Sequence, residues 1–302
     1  MSRLDIATVL LQWATGGLFF LWVTTRHRLV GLGYGWLMRG VFASIAAIAV
    51  LTNGSAPSVG RNLSATAVVV ASLGTLAVSI QRKGAGVARQ RDEADRKKAR
   101  VAEMLASRGN EPATASMQMR DEFGRVSGEV DRELSDGPEF PPILDLIAPV
   151  VGAVGLVFAG VAAGGSTWLS VARVLVGALF LGAVTDAMLL GHWYLVQPGL
   201  SRKPIVELND WLLKLWPVEV AVMLIPTGMI SVINGSVDDK WGGMLGWMWI
   251  ACALTTGVLA FVTRVILKER FYSAVMAATG MLYLSILTAF GTDIVARAVL
   301  QS

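Results

Sequence analysis

The most restrictive feature of this sequence is a series of apolar stretches, each near the length of a bilayer crossing and almost free of charge. A helix needs about 20 apolar residues to cross the hydrocarbon layer. Only helices and closed barrels satisfy their backbone polar groups there. Barrel strands would read as short alternating segments, and these runs do not alternate, so they predict helices. Eight runs stand out, at roughly 5–24, 34–52, 64–81, 143–163, 168–196, 212–233, 243–266 and 271–299. Glycine and polar residues separate several of them, at 53–62, 164–167 and 234–243. The expected fold class is all-α, a polytopic integral membrane helix bundle of about eight transmembrane helices. Only 16% of the residues are charged, against about a quarter in soluble domains. The first run reads as a retained helix rather than a signal peptide, because Arg26, His27 and Arg28 follow it where a small-residue cleavage site would stand.

Basic residues orient such a bundle, since cytoplasmic loops carry the excess of Lys and Arg. Arg26 and Arg28 follow the first run, Arg202 and Lys203 the fifth, and Arg264, Lys268 and Arg270 the seventh. The intervening loops are poorer, with Arg61 in one and Lys240 in another. These loops agree on one topology, with both termini outside and the protein integral to the cytoplasmic (inner) membrane. Three regions follow: helices one to three in 1–81, a charged segment in 82–142, and helices four to eight in 143–302. The charged segment is basic through Arg100 and acidic afterwards, with Phe123, Val126, Val130 and Leu134 at helical spacing. It is expected to form a helical cytoplasmic insertion, or to be partly disordered, and to dock a protein partner. Small residues in run four (Gly152, Gly155, Gly160) and run five (Gly177, Ala178, Gly182) predict that these two helices pack closely on each other.

The absent motifs narrow the function. Cys252 is the one cysteine, which excludes an internal disulfide and a multi-cysteine metal site. GLGYG at 31–35 lacks the strand–helix setting of a nucleotide loop, and no Walker or HExxH motif occurs. The charge distribution offers no cationic face for nucleic acid. No catalytic residue and no metal site is expected, and the chain reads as something other than a stand-alone enzyme.

Ionisable groups inside the runs carry the functional expectation, because a charge at the bilayer centre costs about 2.5–3.5 kcal/mol on insertion scales. Counting residues from the cytoplasmic ends puts Arg39, Asp186 and Glu219 at a common depth. His27, Asp145, His192 and Tyr194 lie nearer the surface. This predicts a polar layer on the cytoplasmic side, with Arg39 pairing to Asp186 or Glu219. A second set near the opposite face, Asp5, Arg173, Asp293 and Arg297, is explained by simple pairing or snorkelling.

Three functions fit. In the first, the chain is an anchor or accessory subunit of a redox or respiratory assembly. His27 and His192 then ligate a b-type haem, or His192 and Tyr194 flank a quinone. In the second, it is a proton- or ion-coupled secondary transporter using Asp186 and Glu219, with Pro217 and Pro226 interrupting the sixth helix. The third is a membrane scaffold with no ligand. The first is the expectation carried forward.

Overall fold

The computed structural model describes residues 6–52, 58–82, 140–196, 200–225, 228–237, 239, 241–269 and 271–300. Most of the 82–142 segment, together with Asp5 and Pro226, lies outside these described residues. The elements are α1 (Ile6–Thr25), α2 (Leu32–Leu51) and α3 (Val59–Gln81). A short 3-10 turn (Pro142–Leu146) then leads into α4 (Ile147–Ala162). They continue as α5 (Thr167–Val196), α6 (Lys203–Leu224), α7 (Gly228–Ile233), α8 (Met244–Ile266) and α9 (Tyr272–Leu300). No strand occurs among the described residues.

Seven segments are long and apolar enough to cross a membrane: α1, α2, α3, the 3-10 turn with α4, α5, α8 and α9. Large apolar side chains such as Val70, Phe158, Phe261 and Leu287 face outward. A soluble protein would bury such a surface, whereas lipid tails are as apolar as leucine and solvate it. The chain is a multi-pass helical membrane protein in contact with the bilayer.

α6 differs from the expected sixth run. It begins nine residues before 212, at Lys203, and ends at Leu224, with the short α7 following. Hydropathy passes over its first half because Glu207, Asp210 and Lys214 dilute the apolar residues. Pro204 sits in the first turn, where a missing N–H costs nothing. Pro217 is therefore internal, and it leaves the Leu213 carbonyl without its helical donor. α6 runs antiparallel to both neighbours: Asn209 donates to the Ala260 carbonyl and Trp216 to the Ala253 carbonyl of α8, while Arg173 of α5 reaches the far end of α6 at Val222.

α1 is the central helix, packed on α2, α4 and α5. Its closest approach is to α5. A Cβ added to Gly16 would lie 1.7 Å from the Ala178 carbonyl oxygen, and one added to Gly182 would lie 2.2 Å from the Gly16 carbonyl carbon. The small residues of runs four and five therefore serve α1 more than each other. Gly160 does meet Val171, but Gly152 meets Thr15 of α1, and Gly155 meets Ser64 of α3 and Leu11 of α1.

The link before α8 is organised by Asp239. Its Oδ1 accepts the N–H groups of Trp241 (3.0 Å) and Gly243 (2.8 Å), and its Oδ2 accepts that of Leu245 (2.9 Å). Gly243 caps the helix at φ +85°, a conformation a side chain resists. The backbone donors, Gly243 first, hold the Asp239 carboxyl below the usual aspartate range. Its contribution to stability is complete above the unfolded value of about 3.9 and is lost as pH falls through the lower folded value. Asp239→Asn is expected to flatten the acid limb of a melting-temperature profile recorded in detergent. An acid limb identical to the parent's would remove this role.

Candidate functional site

The predicted polar layer separates into distinct centres, at different depths and with different partners. Arg39, buried in α2, pairs with Asp145 of the 3-10 turn. Its Nε donates to Oδ1 at 2.8 Å and its Nη2 to Oδ2 at 2.7 Å. This two-pronged geometry is the strong form of the contact. Thr25 of α1 donates to Asp145 Oδ2 at 3.2 Å. The Ser79 hydroxyl of α3 lies 3.5 Å from Arg39 Nη1 and accepts the Trp36 indole N–H at 3.0 Å. The Phe140 ring covers the guanidinium, with Cζ 4.8 Å from the centroid. The sequence expectation of an Arg39 pair with Asp186 or Glu219 is corrected. Asp145 had been read as a boundary residue, and the 3-10 turn carries it inward beneath α2.

Asp186 is fully buried in α5. Its Oδ1 faces the Tyr34 hydroxyl of α2 at 3.4 Å, while its Oδ2 has no hydrogen-bond partner among the described residues. Tyr34 is itself fully buried, with its ring edge-on to Trp193. The neighbouring Thr185 accepts the Trp13 indole N–H at 2.9 Å.

Glu219 belongs to the opposite end. Counting from 212 gave it the depth of Asp186. Counting from Lys203 puts it sixteen residues, about 24 Å, along α6. It is fully buried, and neither carboxylate oxygen has a hydrogen-bond partner among the described residues. The charges that act on it are Asp293, Arg297 and Arg173, the very residues assigned to the outer set. Arg297 donates through Nε to both oxygens of Asp293 at 2.9 Å, one turn apart on α9. Gln12 of α1 donates to Asp293 Oδ1 at 3.4 Å, and its own carbonyl oxygen is buried without a partner. Arg173 of α5 donates through Nε to the Val222 carbonyl (2.9 Å) and through Nη2 to the Ile225 carbonyl (2.6 Å). It thus caps the carbonyl end of α6 where the helix stops. Gly177 makes room for the cluster: a Cβ there would stand 2.3 Å from Gln12 Nε2 and 3.0 Å from Asp293 Oδ1. Two carboxylates and two guanidiniums thus converge from α5, α6 and α9 around a break in the backbone.

The two histidines have separate partners. His27 is half-exposed in the α1–α2 link, with Nε2 3.8 Å from Glu207, which also pairs with Arg26. His192 faces outward from α5 and meets the Tyr283 hydroxyl of α9 through Nδ1 at 3.2 Å. Tyr194 is buried and donates its hydroxyl to the Ser201 carbonyl, pinning the α5–α6 link. Its own carbonyl accepts the Tyr272 hydroxyl at 3.4 Å. No group of three or more His, Cys, Asp or Glu side chains suited to a metal ion occurs among the described residues.

Sequence reasoning missed the Glu219 cluster because it placed α6 in the wrong register. The i, i+4 spacing of Asp293 and Arg297 was a legible signal for their pairing. The chain matches no known family model, and no curated protein or solved structure is significantly similar to it.

Proposed function

We propose that the chain is a proton-coupled secondary transporter of the cytoplasmic membrane, with Glu219 binding and releasing the coupling proton. One observation carries this reading. Glu219 is fully buried with both oxygens unpartnered among the described residues, near the break between α6 and α7. A polar group held out of water without a partner costs about 1–3 kcal/mol, and more for a charge, so chains rarely retain one without a use. A broken helix beside an ionisable group is a recurrent form of ion site in transporters. A proton suits this site better than a metal cation. Arg173 and Arg297 lie among the same charges and repel a second positive ion, whereas protonation requires no added ligand shell.

In this reading α6 is the eighth crossing. It joins the end of α5 to the far face from which α8 returns, and its length of 22 residues suffices. The Arg26 end is cytoplasmic, following the basic loops. A protein partner would meet the chain through 82–142.

A second reading keeps the redox subunit in its quinone form. His192 and Tyr283 form a hydrogen-bonded pair on the outward side of the bundle, open to a membrane-soluble ligand. Haem is disfavoured because His27 and His192 are held by different partners.

One preparation tests both. The full chain is reconstituted into vesicles with a pH-sensitive dye in the lumen, and an external pH jump is applied. Proton uptake is expected in the parent and is expected to fall at least about tenfold, a change of about 1.4 kcal/mol or more in barrier, in Glu219→Gln. Equal uptake by parent and variant would sink the transport reading. Quinone that extracts from the parent and is lost in His192→Ala would support the redox reading instead.

A further inference from the structure

The proposed role of Glu219 leaves a second buried carboxyl unused. Asp186 differs from Glu219 in its company. Among the described residues its side chain meets one hydroxyl, that of Tyr34, and one of its oxygens is unpartnered. Glu219 instead sits among two guanidiniums and a second carboxylate. Among the described residues, the titratable groups acting on the Asp186–Tyr34 pair are its own two members and Tyr194, further along α5. No arginine or lysine among the described residues acts on it in the way that Arg173 and Arg297 act on Glu219.

An ionised carboxylate with a single neutral hydrogen bond is an expensive occupant of an apolar interior, costing several kcal/mol even after relaxation. The neutral acid is not, and it can both donate and accept. Asp186 is also placed between the Glu219 cluster and the Arg26 end. Gly177, which lies against that cluster, and Asp186 are nine residues apart on α5, about 13 Å along the axis. On its other side, Tyr34 stands in the first turn of α2. That turn borders a small cleft at the Arg26 end, lined by Thr25, Gly35, Arg39, Phe140 and Asp145. Tyr34 has its hydroxyl on Asp186 and is itself fully buried, while its chain neighbours Leu32 and Gly35 line the cleft. Unpartnered buried polar atoms of this kind are the usual seats of ordered water.

We propose that Asp186 is a second proton-holding group, exchanging its proton with the Arg26 end of the bundle through the Tyr34 hydroxyl. This rests on the transport reading for its purpose, though not for its chemistry. In the exchange, a hydronium arriving from the Arg26 end gives a proton to Tyr34 Oη as the Tyr34 proton passes to the Asp186 carboxylate at Oδ1. Tyr34 ends neutral, Asp186 ends as the neutral acid, and a neutral water is left. Release follows the same steps in reverse. Glu219 and Asp186 would then be successive stops on one route, the first compensated by arginine and the second not.

Infrared spectroscopy of the full chain in lipid reads this directly, with no transported substrate needed. A protonated carboxyl has a C=O stretch distinct from that of a carboxylate, and the stretch shifts on transfer to D2O. The expected result is such a band in the parent at neutral pH, absent in Asp186→Asn and retained in Glu219→Gln. Tyr34→Phe should keep the band, move its frequency, and slow its exchange with D2O several-fold. A parent without the band, or an Asp186→Asn variant that keeps all of it, overturns the proposal. Should Asp186→Asn fail to fold, Tyr34→Phe decides alone: an unmoved band with unchanged exchange overturns it. Loss of the transport reading would appear as normal proton uptake in Glu219→Gln, with the Asp186 band untouched, so the two failures are separable.

Discussion

Asp145→Ala is expected to destabilise the bundle by about 3–5 kcal/mol, the range for breaking a buried ion pair by removing one partner. The cost comes from what remains. Arg39 stays buried in α2, and among the described residues its guanidinium keeps the Ser79 hydroxyl at 3.5 Å and the face of Phe140. Arginine stays charged in proteins, so it cannot escape by losing its proton. Arg39→Ala should cost a similar amount by leaving the Asp145 carboxylate with Thr25 alone. Replacing both by apolar residues of similar volume, Arg39→Met with Asp145→Leu, should recover most of the loss. Unfolding by titration with a denaturing detergent, followed by tryptophan fluorescence, would rank the parent, the two single variants and the double variant. Single variants as stable as the parent would mean that the pair is solvated in the protein.

Gly182→Leu should be damaging on a similar scale. The atoms a side chain would meet at Gly182 are the backbone carbon and oxygen of Gly16, at 2.2 and 2.4 Å. The reciprocal contact at Gly16 is the Ala178 carbonyl. No rotamer change relieves a clash with backbone, so α1 and α5 must separate, and α1 is the helix on which α2 and α4 also pack. Overpacking typically costs about 1–3 kcal/mol and occasionally more, and this site belongs at or beyond the upper end. Size-exclusion chromatography should show loss of the monodisperse peak for Gly182→Leu and partial loss for Gly182→Ala. Gly40 and Gly280 supply the contrast, since a Cβ at either meets nothing within 4 Å. Alanine there should be neutral or slightly stabilising, as alanine outranks glycine in a helix by up to about 1 kcal/mol. Equal behaviour of Gly182→Ala and Gly280→Ala would refute the close crossing.

The legible part of this fold was what hydropathy alone decides. Runs such as 5–24 and 168–196 correspond to α1 and α5 within a few residues, because a bilayer crossing needs length and apolarity and little else. Depth was legible only where the helix start was. Asp186 could be counted from the end of α5, but Glu219 was counted from an apolar onset at 212 that is not where α6 begins. The charged first turns of α6 are stabilised by tertiary partners that one-dimensional reading does not see. Glu207 pairs with Arg26 across to the α1–α2 link, and Asp210 pairs with Arg264 of α8. Rotation about each helix axis was equally hidden. It decides that Arg39 turns to the 3-10 turn, and that Gly177 opens on Gln12 and Asp293 rather than on α4. Tyr34, now the partner of Asp186, drew no notice in the sequence because an uncharged phenol in an apolar run is unexceptional.

The Arg39 network also touches both borders of the charged stretch. Ser79 lies near the end of α3, and Phe140 and Asp145 lie just after that stretch. The two described points that border residues 83–139 are thus fixed side by side. In polymer terms the ends of whatever joins them are already closed, at a cost borne by the membrane helices. Loop-closure cost in general grows only logarithmically with length, by about 0.6 kcal/mol for each doubling. Evolution is therefore free to lengthen, shorten or rewrite what lies between Arg82 and Phe140 while the transmembrane framework stays the same.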